Sequence, residues 1–467
     1  MLSFQCSAFR QLLIRLESSL IIHHSSLLLL LVLALGCQEA SRNEQASNRQ
    51  QVLFWHFWGG EDRPIVDSIV EDFNASQDKY RVRAIAMPGN NLDLKFFLSV
   101  AGGDPPDLLN QDDPVIADWA HRDVLMPLDE LAAADELKLL DTWLFPAAKE
   151  LGTYDGKLYG LANGLDMRAL YCNQTMLDEY DLPLPETIAD LDQIAETVSP
   201  PGRSEYRRMG FLPNPDRLWA WGVVFGGQFW NPDAENADQF ITAEHPANVA
   251  ALEWMAKYSD RYGPSVVGAF RSGEQALTGT TFPMLVDRRY AVMMDGQWRL
   301  RDIATAKQSD QFTVVPLPPP TQDLAPNGRK NAGWVNGNFF VVPKASKCPE
   351  GAWAFMKFWA GVNNEARAAR ACADGGWIPV SQQVVDAPAY QKVLEEQPLL
   401  KVFVELASSE NQRPTPPLPV ASYYVQQVNR AAQDVMYTDG TAKPQALLRA
   451  VSERVTRRLK EVLGEEE

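Results

Sequence analysis

Residues 51 to 110 read QVLFWHFWGGEDRPIVDSIVEDFNASQDKYRVRAIAMPGNNLDLKFFLSVAGGDPPDLLN, and their pattern decides the fold. Gln51 to Phe57 is a short, largely apolar run that ends at Trp58-Gly59-Gly60, which predicts a buried strand followed by a loop. Pro64 suits the first turn of a helix, and Ile65, Val66, Ile69, Val70 and Phe73 then recur at helical spacing. Tyr80 to Ala86 predicts a second strand, Leu92 to Ala101 a second helix stopped by Gly102-Gly103, and Asp107 to Asn110 a third strand. Strand, helix, strand, helix, strand is the order of a parallel sheet wrapped by right-handed crossovers. In such sheets ligands bind beyond the C-terminal ends of the strands. Trp58 and Glu61 after the first strand, and Gln111 and Asp112 after the third, are therefore expected on one rim.

The chain has 467 residues, more than one hydrophobic core usually serves, so two lobes are expected. Hydrophobic residues at 46% and charged residues at 22% exclude general disorder. With 43 Lys and Arg against 60 Asp and Glu, the formal net charge is −17, which argues against a nucleic-acid partner. A second α/β unit is expected after Leu170 to Asn173. Thr187 can cap a helix with Ile188, Leu191, Ile194 and Ala195 inward, and Pro246 opens another. Phe312 to Pro320 reads as a strand running into a stiff proline segment that crosses between lobes, and Phe339 to Val342 as a further strand. Pro349 starts a helix with Ala352, Phe355, Met356 and Trp359 on one face, and Lys443 to Leu463 is a C-terminal helix.

The N-terminus reads as an address. Residues 27 to 35, LLLLLVLAL, follow Arg10 and Arg15, and nine apolar residues suit a secretory leader rather than a membrane span. Leu33-Ala34-Leu35-Gly36-Cys37 resembles the lipobox of bacterial lipoproteins, which implies cleavage after residue 36 and lipidation of Cys37. Residues 38 to 50 contain no Leu, Ile, Val or aromatic residue and read as a flexible tether. Beyond them only Cys172, Cys348 and Cys372 remain, an odd number best read as three buried thiols. His56, His121 and His245 lie far apart, with no HExxH or CxxC, so no metal or cofactor is expected.

There is no GxSxG, GxxxxGK[ST] or GxGxxG motif. What recurs instead is tryptophan beside glycine and a carboxylate or amide: Trp58-Gly59-Gly60-Glu61, Gly226-Gly227-Gln228-Phe229-Trp230, Asp295-Gly296-Gln297-Trp298, Gly333-Trp334-Val335-Asn336-Gly337 and Gly375-Gly376-Trp377. Indole offers a flat apolar face and carboxylates accept hydroxyl hydrogen bonds, the pair of features that a sugar's C–H face and hydroxyl rim require. A tryptophan beside a glycine also serves core packing, so each motif alone carries little weight.

The chain as a whole resembles the family 1 extracellular solute-binding proteins of ABC importers, the maltose and multi-sugar type. The residues that carry the resemblance are FWHFWGGED, AGGDPPDLL (101 to 109), YDGKLYGL (154 to 161) with YCNQTMLDEYDLPLPET, YAVMMDGQW (290 to 298), VVPLP, EGAWAFMKFW and GGWIPVS (375 to 381), in order along residues 51 to 440. The resemblance implies the type II periplasmic-binding-protein architecture, two α/β lobes joined by a hinge that the chain crosses several times. Crossings are then expected near Asp166 to Leu170, Val315 to Pro320 and Trp377 to Val380. The expected division is leader 1–36, tether 37–50, first lobe 51–166 with 321–377, and second lobe 167–320 with 378–467. It further implies cleft contacts at Trp58, Glu61, Gln111, Asp112, Asp166, Trp230, Asp295, Trp298, Trp334, Asn336, Trp377 and Tyr423 or Tyr424. In this reading Trp230, Trp298 and Trp334 stack on sugar rings, while Glu61, Asp112, Asp166 and Asp295 accept hydroxyl protons. Asp112 and Asp113 read equally as a loop turn.

The function so implied is a lipid-anchored, monomeric receptor outside the cytoplasmic membrane that passes a carbohydrate to ABC permease subunits without making or breaking a bond. Three rivals stand beside it. A glycosidase needs two carboxylates flanking the scissile bond, and nothing here pairs them. A phosphorylated or amino solute would want cations in the cleft, for which Arg168, Arg288, Arg289, Arg329 and Lys330 are the candidates. A sensor would use the same cleft to signal to a partner.

Overall fold

The computed structural model describes residues 49–87, 91–276, 283–362, 364–438 and 443–465. The leader, Cys37 and residues 38–48 of the tether lie outside the described residues.

The opening stretch folds as its pattern predicts. Strand β1 (Gln50–His56) is followed by helix α1 (Asp62–Ser76), β2 (Tyr80–Ala86), α2 (Leu92–Ala101) and β3 (Leu108–Asp112). Gln50, the last residue expected in the tether, already pairs with Tyr80. β1 lies between β2 and β3 and runs parallel to both. Val66, Ile69, Val70 and Phe73 of α1 are buried against the sheet, as the helical spacing requires. Asp107 of the GDPPDLL motif is a structural clamp: its carboxylate accepts from the backbone N–H of Leu53 at 2.8 Å and from those of Lys347 and Cys348 at 2.8 Å each.

Further along come β4 (Gly160–Asp166) and β5 (Arg168–Asn173), then α3 (Ile188–Val198), α4 (Leu218–Val224), α5 (Pro246–Tyr262), β6 (Val292–Gly296), α6 (Arg299–Thr305) and β7 (Phe312–Val315). The chain continues through β8 (Gly333–Val341), α7 (Pro349–Ala360), α8 (Glu365–Gly375), β9 (Gln412–Pro414), α9 (Ala421–Tyr437) and α10 (Pro444–Leu463). The first sheet has the order β9-β8-β3-β1-β2, with β4 pairing on β8, and the second is β6-β5-β7 with β5 antiparallel to both neighbours. Two sheets flanked by helices, their buried side chains joined in one continuous core, make this an α/β protein of the type II binding-protein architecture.

Two strands differ from expectation. β7 stops at Val315, because the prolines that follow have no N–H to give a ladder. β8 begins at Gly333 rather than Phe339, and eight of its nine residues are buried. Its glycines and asparagines disguise a central strand, since those residue types are depleted in sheets generally. β8 runs antiparallel to β3 and β4, one on each side, with Asn338 opposite Asp112 and Asn336 opposite Asp166. That register brings together side chains 54 positions apart in the chain.

Only Met167 separates β4 of the first sheet from β5 of the second. Gln297 braces this crossing: its amide oxygen accepts from the Met167 N–H at 3.1 Å, and its amide nitrogen donates to the Leu165 carbonyl at 3.0 Å. Leu165 also donates its N–H to the Ile378 carbonyl at 3.2 Å, so the Asp166 and Trp377 crossings lie side by side. Beyond them Phe403 sets its ring 5.9 Å from Tyr171 of the second sheet. β9, from the stretch assigned to the second lobe, pairs with the first three residues of β8.

Candidate functional site

The ends of β3 and β4, the start of β8 and the loop after β6 converge where the two sheets meet. Asp112 opens to solvent and accepts from the side-chain amide of Asn338. Asp113 beside it is buried and is the hub of a network. It accepts from the Gly337 N–H at 2.7 Å, Thr415 Oγ1 at 3.0 Å and Asn336 Nδ2 at 3.2 Å. Thr415 in turn accepts from Trp334 Nε1 at 3.0 Å. Asp166 accepts from Gln297 Nε2 at 2.9 Å. The Asn336 amide oxygen is buried with no partner among the described residues.

Asp112 and Asp113 are both displaced toward their neutral forms. Although the Asp112 side chain lies at an open mouth, the surrounding walls strip its carboxyl of water, and this, with Asp166 and Asp113 adding repulsion, pushes it up to about 8 against the pull of Asn338 and Arg168. Burial also raises Asp113, to about 6, although three hydrogen bonds to its ionised form oppose the shift. A cavity of roughly 410 Å³ opens in front of them, lined by Phe57, Leu92, Asp93, Gln111, Asp112, Asp113 and Val115.

On the second-sheet side of the crossing, Trp298 is 37% exposed, the most open tryptophan of the described residues, and lines a small cavity of its own with Gln297, Arg301 and Gly375. The Arg168 guanidinium lies over Trp298, 5.2 Å from the ring centroid, and 5.7 Å from that of Trp334. Arg301 of α6 reaches across to the first wall, where its Nη1 stands 2.8 Å from Asp62 Oδ1 and its Nε 4.0 Å from Glu61 Oε2.

The expected site residues divide into three groups. Asp112, Asp166 and Asn336 gather where β3, β4 and β8 pair, and Trp298 stands beside Arg168 at the crossing between the sheets. Gln111, Asp295, Trp334, Glu61 and Tyr423 are at or beside it but already engaged or peripheral. Gln111 is buried and donates to Asp93. Asp295 pairs with Arg299 at 2.8 Å, Trp334 is buried against Trp219 at 5.9 Å, and Glu61 is an exposed rim residue. Of the tyrosine pair, Tyr424 is fully buried and donates to the Phe229 carbonyl at 2.6 Å, which leaves Tyr423 as the half-buried member.

Trp58, Trp377 and Trp230 stand elsewhere. Trp58 is buried and stacks on Trp359 at 5.2 Å, and Trp377 stacks on the same ring at 5.8 Å. Trp230 lines a separate cavity of about 600 Å³ with Phe145, Glu150, Trp219 and Arg413. The placement of Trp58 and Trp377 follows from local surroundings: a helix that presents Trp359 to the sheet offers a flat apolar partner that water cannot match. Sequence reasoning missed Gln297, Asn338 and Thr415. Gln297 lay within a motif already singled out, whereas Thr415 carries no signal outside the fold.

Residues 68–396 match the family described as bacterial extracellular solute-binding protein, and the chain belongs to that family. It is 24% identical over 271 residues to the maltodextrin-binding protein MdxE of Bacillus subtilis, covering 57% of this chain and 59% of that protein. It is 22% identical over 235 residues to a maltooligosaccharide ABC transporter solute-binding lipoprotein of Streptococcus pneumoniae, 50% of this chain and 51% of that one. The chain thus spans between half and three fifths of the length of these relatives. Among solved structures it resembles CpMnBP1 with mannotriose bound, at a TM-score of 0.72 and 24% identity over 87% of this chain and all of that one. It also resembles the GacH receptor of Streptomyces glaucescens, at a TM-score of 0.67 and 18% identity over 90% of this chain and all of that one. The fold is theirs.

Proposed function

We propose that this chain is a carbohydrate receptor of an ABC importer, closing on its ligand as a hinged trap and held outside the cytoplasmic membrane by lipid on Cys37. The observation that carries the reading is the meeting of two sheets at one crossing: Asp112 and Asp166 stand at strand ends of the first sheet, Gln297 braces the crossing through Asp166 and Met167, and the exposed Trp298 follows it on the second. A sugar bridging them binds the closed form better than the open one, and that differential affinity alone drives closure. The printed names of the relatives, maltodextrin- and maltooligosaccharide-binding, support a glucan or similar oligosaccharide as cargo. The proposed lobes are 51–166 with 321–377 and 167–320 with 378–467, save that β9 returns to the first sheet, and the closed lobes are what the permease subunits receive. Binding proceeds as a monomer without bond cleavage.

A thermal-shift screen of the purified protein against mono- and oligosaccharides, sugar phosphates, polyols and amino acids tests the reading. A ligand at 100 times its dissociation constant stabilises by about 2.7 kcal/mol, a clear rise in melting temperature. The reading expects a shift from sugars that disappears in Trp298→Ala. A shift only from amino acids or phosphates sinks the carbohydrate, and release of shorter products from a bound oligosaccharide sinks the receptor in favour of a hydrolase.

A further inference from the structure

Two arginines of α6 take their partners from opposite directions. Arg299 pairs with Asp295 at 2.8 Å and with Asp302 at 3.0 Å, both in the proposed second lobe, and so braces its own loop and helix. Arg301 reaches outward. Its Nη1 stands 2.8 Å from Asp62 Oδ1, its Nη2 donates to the Gly375 carbonyl at 2.5 Å, and its Nε lies 4.0 Å from Glu61 Oε2. Glu61, Asp62 and Gly375 all belong to the proposed first lobe. Among the described residues the Arg301 guanidinium makes no ion pair or hydrogen bond within its own lobe.

These partners are firmly mounted. Asp62 opens α1 and Gly375 closes α8. The last carbonyls of a helix have no intrahelical donor and carry the negative end of its dipole, which favours a cation there. Trp58, just before this acid pair, and Trp377, just after Gly375, stack on each other at 5.7 Å. A Cβ at position 375 would stand 2.5 Å from the Trp377 indole, so the Gly375 backbone presses close to that stack. On the other side Trp298 lies one helical turn before Arg301. Between them and the first lobe is a cavity of about 140 Å³, walled by Gln297, Trp298 and Arg301 from one lobe and Ala373 to Gly376 from the other. The Arg301 and Asp62 side chains are 33% and 29% exposed, so the pair can bias the lobes and still break.

We propose that Arg301 is an interlobe latch, a positioning residue that ties the two proposed lobes together beside the Trp298 cavity and sets how much of the protein is closed before sugar arrives. The latch rests on the receptor reading and adds to it a closing device that needs no ligand. When the lobes part, Arg301 loses Asp62 and the Gly375 carbonyl together, while Arg299 keeps both of its partners. The contact therefore exists in one form only and favours that form by its own energy. A receptor already closed for part of the time gives up less binding energy to closure, so the latch raises affinity by the factor with which it raises the closed population.

Small-angle X-ray scattering of the purified protein without sugar, at low and at high salt, tests the latch. Fitted as a mixture of closed and open forms, Arg301→Gln at low salt is expected to raise the open-to-closed ratio about two- to fivefold. Asp62→Asn should act in the same direction, and the double variant should open no further than Arg301→Gln alone. Arg301→Lys should fall between, because an ammonium can meet Asp62 but lacks the second arm for Gly375. High salt should open the unaltered protein and leave Arg301→Gln where it was. Arg122→Gln breaks a 2.8 Å pair with Asp118 inside the first lobe and should leave the ratio unchanged. Should Arg301→Gln fail to fold, Asp62→Asn and the salt series on the unaltered protein decide. A ratio that Arg301→Gln does not move, or that Arg122→Gln raises equally, overturns the latch and leaves the sugar receptor standing. One shape in every variant and salt, unchanged also by the sugars of the thermal-shift screen, overturns the latch and hinged closure together.

Discussion

The loop after β1 and the loop after β6 invite comparison, because each carries a tryptophan close to glycine and an acid and each leaves its sheet at the hinge. In the first, Trp58 turns inward and joins Trp359 and Trp377 in a stack with ring planes 10° and 28° from that of Trp58. In the second, Trp298 stays out, shielded on one side by Arg168. The same residue type is a wall foundation in one lobe and an open face in the other. The difference is supplied by what stands behind the loop: an apolar helix face in the first case and the hinge clamp of Gln297 in the second.

Four measurements break or sharpen that contrast, beginning with the largest effect. Trp58→Ala empties a space inside a packed aromatic stack, so chemical denaturation should register a loss of about 3–5 kcal/mol. A loss below 1 kcal/mol, roughly what a surface site gives, would make Trp58 no foundation at all. Next, Asp113→Ala strands three donors at once, the Gly337 N–H, Asn336 and Thr415, and should cost about 3 kcal/mol by the same measurement.

The third effect is one of pH. The Asp113 carboxyl is raised to about 6 in the folded chain from an unfolded value near 4, so the folded state holds a proton that the unfolded state has released across that window. This contribution to stability is complete below about pH 4 and is lost as pH rises through about 6, on the order of 1 kcal/mol. Melting temperatures measured across that window should show the trend in the unaltered protein and a flatter curve in Asp113→Asn. An identical slope in the variant would assign the pH dependence to other groups.

The smallest effect on stability belongs to Trp298→Ala, within about 0.5 kcal/mol, since the ring is already partly in water. Its effect on sugar binding should nonetheless be the greatest of the four variants. If Trp298→Ala unfolds the protein while Trp58→Ala leaves it intact, the two loops have exchanged roles.

Much of the frame was legible in the linear order of residues. The alternation of β and α patterns over residues 51 to 110 foretold a parallel sheet, and placed Gln111 and Asp112 at the ends of its strands. Thr187 caps its helix through a 3.3 Å bond from the Asp190 N–H, as its position predicted. β8 was partly hidden because a strand covered on all sides can use glycine and asparagine where the ladder and the close approach of neighbours, not propensity, fix the chain. The site was half legible. The rim rule singled out Asp112, the family resemblance Asp166 and the tryptophan–glycine motif Trp298, yet nothing local separates the exposed Trp298 from the buried Trp58, or the open Asp112 from the buried Asp113.

By itself, then, the chain's periodicity determined two α/β units, the rim on which acids would gather and the abundance of indole faces, because those depend on spacing between neighbours in sequence. Only the tertiary structure decided which indoles are open and that Thr415 reaches Asp113 across 302 positions. Burial and charge balance are properties of what surrounds a residue from every direction, and those surroundings are assembled from strands far apart in the chain.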